Sequence, residues 1–322
     1  SIGTMHMARQ LSNTLGIDDS MPAIGGLLHD IGHMPFSHAI EETFFRYYKL
    51  THEDLTKKII MGEKPYEDST VPDILRKYGY NPLDVAEIAT GQSKKYKLYS
   101  AMISGPIDVD ELDYLRRDAF YCGVTMGQID YMRLFNTVMV SNGSIVGEEK
   151  SIPTLESTII TRILMFNSVY FHKTCRVAQK MLGIAYDMYN DRSVEDLKLR
   201  DCQFLEKLNS GISGQITSKI LNRRLYKVIH RENYSKTSLE SAKKTLSAFN
   251  DYDYIIDIIP PLYFSGRERI KNYIDVNYRG KIRRIDAVSS LARSLYEEIE
   301  NRRIIISANT EVIGENQDFS SK

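Results

Sequence analysis

The chain has 322 residues, and its 42 Lys and Arg balance 42 Asp and Glu. This balance excludes an overall basic field that would attract nucleic acid or anionic lipid, so an anionic partner must be held by a local site. Three well-separated cysteines argue against a disulfide framework. No apolar run approaches the roughly 20 residues of a bilayer span, and no signal peptide precedes the first motif. These features predict a cytoplasmic protein without a membrane segment.

Helical periodicity dominates the first two thirds of the chain. It predicts helices at residues 1–15, 21–30, 36–48, 51–60, 72–78, 82–90 and 108–121. The β-branched runs flanking Asn142-Gly143 predict a hairpin near residues 136–150, because this dipeptide suits a turn with positive φ. Further helices are predicted at 155–190, 194–209, 216–230 and 239–249.

The sequence after about residue 250 predicts strands rather than helices. The stretches "YDYIIDIIPPLYF", "NYIDVNYRGKIRRI" and "RRIIISAN" are typical of strands, with a helix predicted at residues 286–300. The sequence therefore predicts a mainly α protein with a helical catalytic core at residues 1–190, which contains the hairpin. A C-terminal region at residues 191–322 is predicted to be helical and then α+β.

The stretch "GGLLHDIGHMPFSHAIEE", residues 25–42, concentrates groups that can bind a metal ion. His29 and Asp30 offer an imidazole and a carboxylate, a mixed donor set that suits a first-row divalent cation. If the helix continued past Asp30, His33 would share the face of His29. This stretch predicts a metal site.

The second half of the same stretch predicts acid/base chemistry. Pro35 prevents a straight helix, so His38 must arrive from the next helix. Glu41 lies three residues after His38, where its carboxylate can orient the imidazole and hold its proton. The alternative is that these histidines are solvent-facing or satisfied core residues. The coincidence of several ligand types in one stretch disfavours that alternative.

The stretch "GPIDVDELDYLRRDAFYCGV" begins at residue 105 and carries a second polar cluster. Along a helix, Asp110, Tyr114, Arg117 and Asp118 lie on one face, which cannot be an apolar core seam. This face is either functional or a solvated surface with an Asp113–Arg117 ion pair. The spacing alone leaves both interpretations open.

Four segments together resemble the HD-domain metal-dependent phosphohydrolases, and specifically the deoxynucleoside triphosphate triphosphohydrolase branch. They are "LLHDIGHMPFSHAIE", "THED", "IDVDELDYLRRD" and "RILMFNSVYFHK", in the order of that branch. The resemblance implies a helical HD core whose divalent metal (Mn, Mg, Co, Fe, Ni or Zn) is held by two histidines and two aspartates. His29, Asp30 and Asp110 match three of these ligands.

The fourth ligand of the family is a histidine directly before "S-[IL]-G". This chain begins with "SIG" at Ser1, and His6 is out of register to replace that histidine. Either an N-terminal segment has been removed or the protein is a variant without this ligand. A helix that is already under way at the first residue favours removal.

The resemblance also implies roles for further residues. His38 would act at the phosphoryl group or the leaving oxygen with Glu41 as its acidic partner, and His33 and His52 would face the phosphates. Substrate-binding residues would be Arg162 and Lys173 at the triphosphate, and Tyr114, Asp118 and Tyr170 at the sugar. Two departures, Glu111 in place of a frequent basic residue and Phe171 in place of a polar one, leave the nucleotide preference open.

The leading hypothesis is a hydrolase that converts dNTPs to deoxynucleoside and triphosphate, with a nucleotide as its partner and a homo-oligomeric assembly. Alternatives are an HD nucleotidase or phosphodiesterase acting on other nucleotides, and a nucleotide-binding regulator with a degraded metal site. The basic stretches "NRRLYKVIHREN" and "SGRERIKNY" are compatible with nucleic acid. The basic residues of the first stretch (Arg223, Arg224, Lys227 and Arg231) are better explained as a solvated helix face, given the zero net charge.

Overall fold

The computed structural model describes residues 1–260, 273–300 and 302–313. Helices dominate these residues, which confirms the prediction of a mainly α protein. They are α1 (Ile2–Thr14), α2 (Met21–Leu28), α3 (Glu41–Tyr48), α4 (His52–Met61), α5 (Val71–Lys77), α6 (Pro82–Ala89), α7 (Lys97–Ile103), α8 (Val109–Cys122), α9 (Tyr131–Phe135), α10 (Ile152–Met165), α11 (Lys173–Met188), α12 (Asp201–Leu208), α13 (Ser213–Leu221), α14 (Lys236–Leu246), α15 (Ile285–Val288) and α16 (Ser290–Glu300). Not one of the described helices is both long and apolar enough to cross a bilayer.

The strands of the described residues form two small sheets. They are β1 (Val138–Ser141), β2 (Ser144–Glu148), β3 (Lys227–Asn233), β4 (Tyr254–Ile259), β5 (Asp275–Tyr278), β6 (Lys281–Arg284) and β7 (Arg303–Ala308). One sheet has the order β1-β2-β5-β6, with β2 and β5 parallel and the other pairs antiparallel. The other has the antiparallel order β3-β7-β4.

The hairpin predicted near residues 136–150 is confirmed. Asn142 and Gly143 have φ angles of 51° and 71°, the left-handed pair that a two-residue hairpin turn requires. Ser141 pairs with Ser144 directly across this turn. The local sequence was sufficient here because the turn chemistry and both flanking strands lie within one short segment.

The chain divides into two compact units, each built from separate stretches. The first contains Ser1–His33, His52–Met165 and Leu262–Glu300, and the second contains Met34–Thr51, Phe166–Pro261 and Asn301–Lys322. This division does not follow the single boundary predicted near residue 190. The division into domains at residues 1–190 and 191–322 stays a prediction.

The first unit is organised around α1, which packs against both α2 and α8. Helix α1 buries Met7, Ala8 and Leu11 on one face, with exposed fractions of 3% or less. Leu112 and Leu115 of α8 are buried to a similar degree. Full burial of each leucine contributes about 2 kcal/mol. This packing holds the beginning of α8 beside α1.

The second unit has an aromatic core and a sheet covered by a helix. The ring of Phe44 makes edge contacts with Tyr186 at 5.0 Å and Phe204 at 5.6 Å between centroids. In the sheet, Ile304 and Ile306 of β7 pack in one cluster with Leu246 of α14. The alternating apolar positions of β7 thus meet the apolar stripe of α14.

Two helices predicted as continuous are interrupted. The helix predicted at 155–190 continues as a π-helix over Phe166–Tyr170 and is interrupted at residues 171–172, before α11 starts at Lys173. The prediction at 194–209 divides into a 3₁₀ turn at Val194–Lys198 and α12. Apolar periodicity continues through both breaks, so the sequence pattern alone did not reveal them.

The helix predicted at 216–230 is wrong over its second half. Helix α13 ends at Leu221, Arg223 has a left-handed φ of 56°, and Lys227–Asn233 is the strand β3. Pairing with the apolar strand β7 overrides the local helical pattern. Arg223, Arg224, Lys227 and Arg231 are therefore not one helix face, although all four are exposed. Most of "SGRERIKNY", residues 265–272, lies outside the described residues.

Candidate metal centre

Three of the predicted ligands converge in the first unit. His29 and Asp30 directly follow α2, and Asp110 lies in the first turn of α8. Nε2 of His29 lies 3.1 Å from Oδ2 of Asp30 and 3.0 Å from Oδ1 of Asp110. The structure thus brings together side chains that are eighty residues apart in sequence. His29 is buried, whereas the two aspartates are about one-third exposed, which leaves the group open to solvent.

The orientation of His29 suits a metal ligand. Its Nδ1 lies 2.8 Å from the carbonyl oxygen of Gly26, which can only accept, so Nδ1 donates and Nε2 is the ring nitrogen that faces both carboxylates. Burial opposes a charged ring, but hydrogen bonds and charge from Asp110 and Asp30 outweigh burial and raise the pKa of His29 to about 10. The space between Nε2 of His29 and the two carboxylates therefore favours a cation, either a proton or a metal ion.

The spacing of the three donor atoms fits a divalent ion. Neighbouring ligands at about 2.0–2.1 Å from one octahedral ion are separated by about 3 Å. The two separations from His29 Nε2, 3.1 and 3.0 Å, have this length. One nitrogen and two carboxylate oxygens form a donor set that first-row divalent ions and Mg²⁺ accept. The residues present therefore fit the metal that the sequence predicts.

Other side chains fix the two aspartates. Thr4 of α1, which is fully buried, donates from Oγ1 to Oδ1 of Asp110 at 3.3 Å. Oδ1 of Asp30 lies 3.3 Å from Nε2 of His33. Burial raises the pKa of Asp30, but the two histidines more than offset this and lower it. Sequence analysis missed Thr4, since a single threonine on a helix gives no functional signal.

Helix α2 ends at Leu28, two residues before the predicted end, so His33 does not continue the helical face of His29. Gly32 instead allows a close approach of α4. A Cβ atom at Gly32 would lie 2.1 Å from the Thr56 nitrogen and 2.4 Å from the His52 carbonyl oxygen. Glycine is therefore required here by the backbone of α4.

Thr56 of α4 holds together the turn at residues 29–32, which carries the predicted metal ligands His29 and Asp30. Its Oγ1 accepts from the Gly32 nitrogen at 3.1 Å and donates to the His29 carbonyl oxygen at 3.0 Å. Both hydrogen bonds are buried. The sequence alone did not reveal these roles of Gly32 and Thr56. A threonine in a helix that follows a loop carries no sequence signal for this role.

Two further predicted histidines lie together in this unit. The rings of His33 and His52 stack with centroids 4.4 Å apart and planes within 14°. His33 also contacts the predicted metal ligand Asp30. Nε2 of His52 lies 3.9 Å from Oε1 of Glu53. The pair is partly buried and forms a second imidazole group beside the metal ligands.

The first turn of α8 contains a buried charged cluster. Asp108 caps the helix through Oδ1, which accepts from the Glu111 nitrogen at 2.7 Å. Glu111 forms an ion pair with Arg162 of α10. Burial and the nearby carboxylates of Glu111 and Asp110 raise the pKa of Asp108 to about 8. Burial also raises the pKa of Glu111, and Arg162 opposes that increase.

The remaining predicted residues of α8 differ in their exposure to solvent. Tyr114 and Asp118 are half-buried, and burial raises the pKa of Tyr114 well above its usual value. Arg117 is exposed and pairs with Asp113 at 2.6 Å. For Arg117, the structure supports the solvated ion pair rather than a functional face.

Four predicted residues belong to the second unit. His38 is 71% exposed, and its Nδ1 lies 3.2 Å from Oε2 of Glu41, so the predicted contact is present. The predicted helix at 36–48 is not continuous, because a 3₁₀ turn at Ser37–Ala39 precedes α3. Tyr170 ends the π-helix and Lys173 begins α11.

Comparison with known proteins identifies two regions. A model described as "HD domain" matches residues 1–118, and one described as "HD associated region" matches residues 129–311. The uncharacterized protein YwfO of Bacillus subtilis (strain 168) is 40% identical over 157 residues, which are 48% of this chain and 34% of that protein. The deoxynucleoside triphosphate triphosphohydrolase SAMHD1 of Bos taurus is 27% identical over 324 residues, covering 78% of this chain and 54% of that protein.

A solved structure of a hypothetical protein from Aquifex aeolicus matches 96% of this chain and 82% of its own chain. Its TM-score is 0.80 at 26% sequence identity. The chain spans only part of the curated relatives, about a third (34%) of YwfO and about half (54%) of the bovine protein. The likeness in fold therefore extends over nearly the whole chain, whereas the relatives contain further sequence.

Proposed function

Because the chain belongs to the HD-domain phosphohydrolase family, with an HD domain followed by an HD-associated region, we propose that it hydrolyses dNTPs to deoxynucleoside and triphosphate. The observation that carries this proposal is the convergence of His29, Asp30 and Asp110 on one point. The likeness to bovine SAMHD1, whose name states this reaction, supports the substrate class.

The side chains divide the chemistry between them. A divalent ion held by His29, Asp30 and Asp110 would polarise a phosphoryl oxygen and make hydroxide available near neutral pH. The stacked imidazoles of His33 and His52 offer donors to phosphate oxygens. They lie beside Asp30, through the contact of His33 with that residue.

The His38–Glu41 pair supplies proton transfer in this proposal. Glu41 accepts a hydrogen bond from Nδ1–H of His38, so the imidazolium form of His38 can give its Nε2 proton to a leaving oxygen and become the neutral ring. On the sugar side, the rings of Tyr114 and Tyr170 would pack on the deoxyribose and Asp118 would bind its hydroxyl. Lys173 would add a positive charge at the phosphates.

The test is a product analysis with added metal. We expect the protein with Mn²⁺, Mg²⁺ or Co²⁺ to release triphosphate from a dNTP, as detected by ion-exchange chromatography. His29→Ala and Asp110→Ala remove one ligand each and should abolish the product, whereas the surface variant Arg76→Gln should retain it. Release of orthophosphate alone would contradict this reaction.

A second candidate is an HD nucleotidase or phosphodiesterase acting on other nucleotides. It is favoured by the burial of Arg162 against Glu111, which removes a cation expected at a triphosphate. Orthophosphate from a monophosphate, or a nucleoside monophosphate from a cyclic nucleotide, would identify it. Metal binding without hydrolysis of any nucleotide would instead indicate a regulator.

We also propose that the protein forms a homo-oligomer, as the family resemblance implies. Sedimentation velocity tests this assembly directly. We expect a mass of at least twice the 37.0 kDa of one chain. A single species with the mass of one chain would contradict the proposal.

A further inference from the structure

We propose that Arg162 is a positioning residue that acts through Glu111 on the metal ligand Asp110, and that it is not a clamp for the terminal phosphates. This inference rests on the proposed function, because it assigns a role within the same site. It replaces the substrate-binding role that the sequence resemblance implies for Arg162.

The first observation is that Arg162 is buried inside the protein. Its exposed fraction is 4%, and that of its partner Glu111 is 6%. The guanidinium of Arg162 therefore presents almost no surface to a ligand in solvent. Arg162 is instead directed at a carboxylate of the chain, and this ion pair carries no surplus charge for a ligand.

The second observation concerns the acidic first turn of α8. Asp108, Asp110 and Glu111 place three carboxylates within four residues. Asp108 accepts from the backbone nitrogens of Glu111 at 2.7 Å and Gly105 at 3.3 Å, which holds the start of the helix. Arg162 contributes a positive charge that stabilises this turn, since it pairs directly with Glu111.

The third observation is the connection to the metal site. Glu111 directly follows Asp110, so the ion pair fastens the backbone of the metal ligand to α10. Thr4 of α1 fixes the Asp110 carboxylate from the other side at 3.3 Å. Residues that orient ligands in this way typically change metal affinity about 10–100-fold when they are replaced.

The experiment compares Arg162→Gln, Arg162→Lys and Glu111→Gln with the surface variant Arg76→Gln, which breaks an exposed ion pair with Asp73. Mn²⁺ affinity is measured by calorimetry without nucleotide. We expect Arg162→Gln and Glu111→Gln to weaken it about 10–100-fold, Arg162→Lys to weaken it less, and Arg76→Gln to leave it unchanged.

The second measurement is the selectivity for the third phosphate. At saturating Mn²⁺, the ratio of kcat/KM for one dNTP and its diphosphate should change less than about threefold in Arg162→Gln, because a positioning residue affects both nucleotides equally. A dNTP-selective loss of about 30-fold or more would show a phosphate clamp and overturn the inference. Unchanged Mn²⁺ affinity in Arg162→Gln would also overturn it.

Two controls keep the inference separate from folding and from the proposed reaction. If Arg162→Gln does not fold by circular dichroism, Arg162→Lys and Glu111→Gln are judged by the same criteria. If the parent protein hydrolyses no nucleotide, the proposed function fails. The Mn²⁺ affinities and the ratio of dissociation constants for the two nucleotides still decide the role of Arg162.

Discussion

Thr56 offers a direct test of how the turn with the predicted metal ligands His29 and Asp30 is held. Its buried hydroxyl accepts from the Gly32 nitrogen and donates to the His29 carbonyl oxygen. Thr56→Val keeps the shape of the side chain but removes both hydrogen bonds. Two buried backbone groups then lose their partner at a cost of about 1–3 kcal/mol each. We expect the free energy of unfolding of the first unit to fall by about 3 kcal/mol.

The matched control is Thr56→Ser, which keeps the hydroxyl and loses one buried methyl group. That loss costs about 1 kcal/mol. Thr56→Val should therefore be less stable than Thr56→Ser by about 2 kcal/mol. Packing alone predicts the opposite order, because valine fills the fully buried position of Thr56 better than serine does.

The assay is urea unfolding followed by circular dichroism, together with calorimetric titration of Mn²⁺. We expect Thr56→Val to weaken Mn²⁺ binding about 10-fold or more, because the His29 backbone loses its anchor. A Val variant as stable as the Ser variant would refute the reasoning. Unchanged Mn²⁺ affinity would refute the link between the hydroxyl and the metal site.

Three further predictions concern other positions. Gly32→Ala places a methyl group against the backbone of α4. We expect it to abolish Mn²⁺ binding and to lower the free energy of unfolding by at least about 3 kcal/mol. An unchanged melting temperature would exclude this close approach. Arg176→Leu removes the two-point partner of the buried Asp257 carboxylate and leaves Lys180 at 3.8 Å, which should destabilise the second unit by about 3 kcal/mol in urea unfolding; an unchanged urea midpoint would show that the Arg176 ion pair is dispensable. With a histidine at the position directly before Ser1, four residues before Thr4, we expect the protein to bind Mn²⁺ at least about 10-fold more tightly than with alanine there. Equal affinity of the two variants in calorimetry would contradict a fourth ligand at that position.

Much of the local structure could be predicted from short sequence patterns. The Asn142-Gly143 turn is one example, since its positive φ angles depend on two adjacent residues. Helix α6 is another, because Asn81 caps it by accepting from the Leu83 nitrogen at 2.9 Å. In both cases the partners that decide the structure lie within a few residues.

The candidate site was predictable only in part. The pairing of His38 with Glu41 follows from helical spacing, although a 3₁₀ turn replaces the expected continuous helix. The burial of Arg162 against Glu111 was not predictable, because 51 residues separate them and no local pattern encodes the contact. The same holds for Thr4, whose role depends on the packing of α1 beside α8.

The sequence by itself determined the helical class, the hairpin and the identity of the chemical groups. Periodicity, turn residues and adjacent ligands such as His29 and Asp30 express preferences of the nearby backbone. Only the tertiary structure decided that Lys227–Asn233 forms a strand and that Asp110 reaches His29. Both outcomes depend on distant segments, whose burial and pairing outweigh local preferences of at most about 1 kcal/mol per residue.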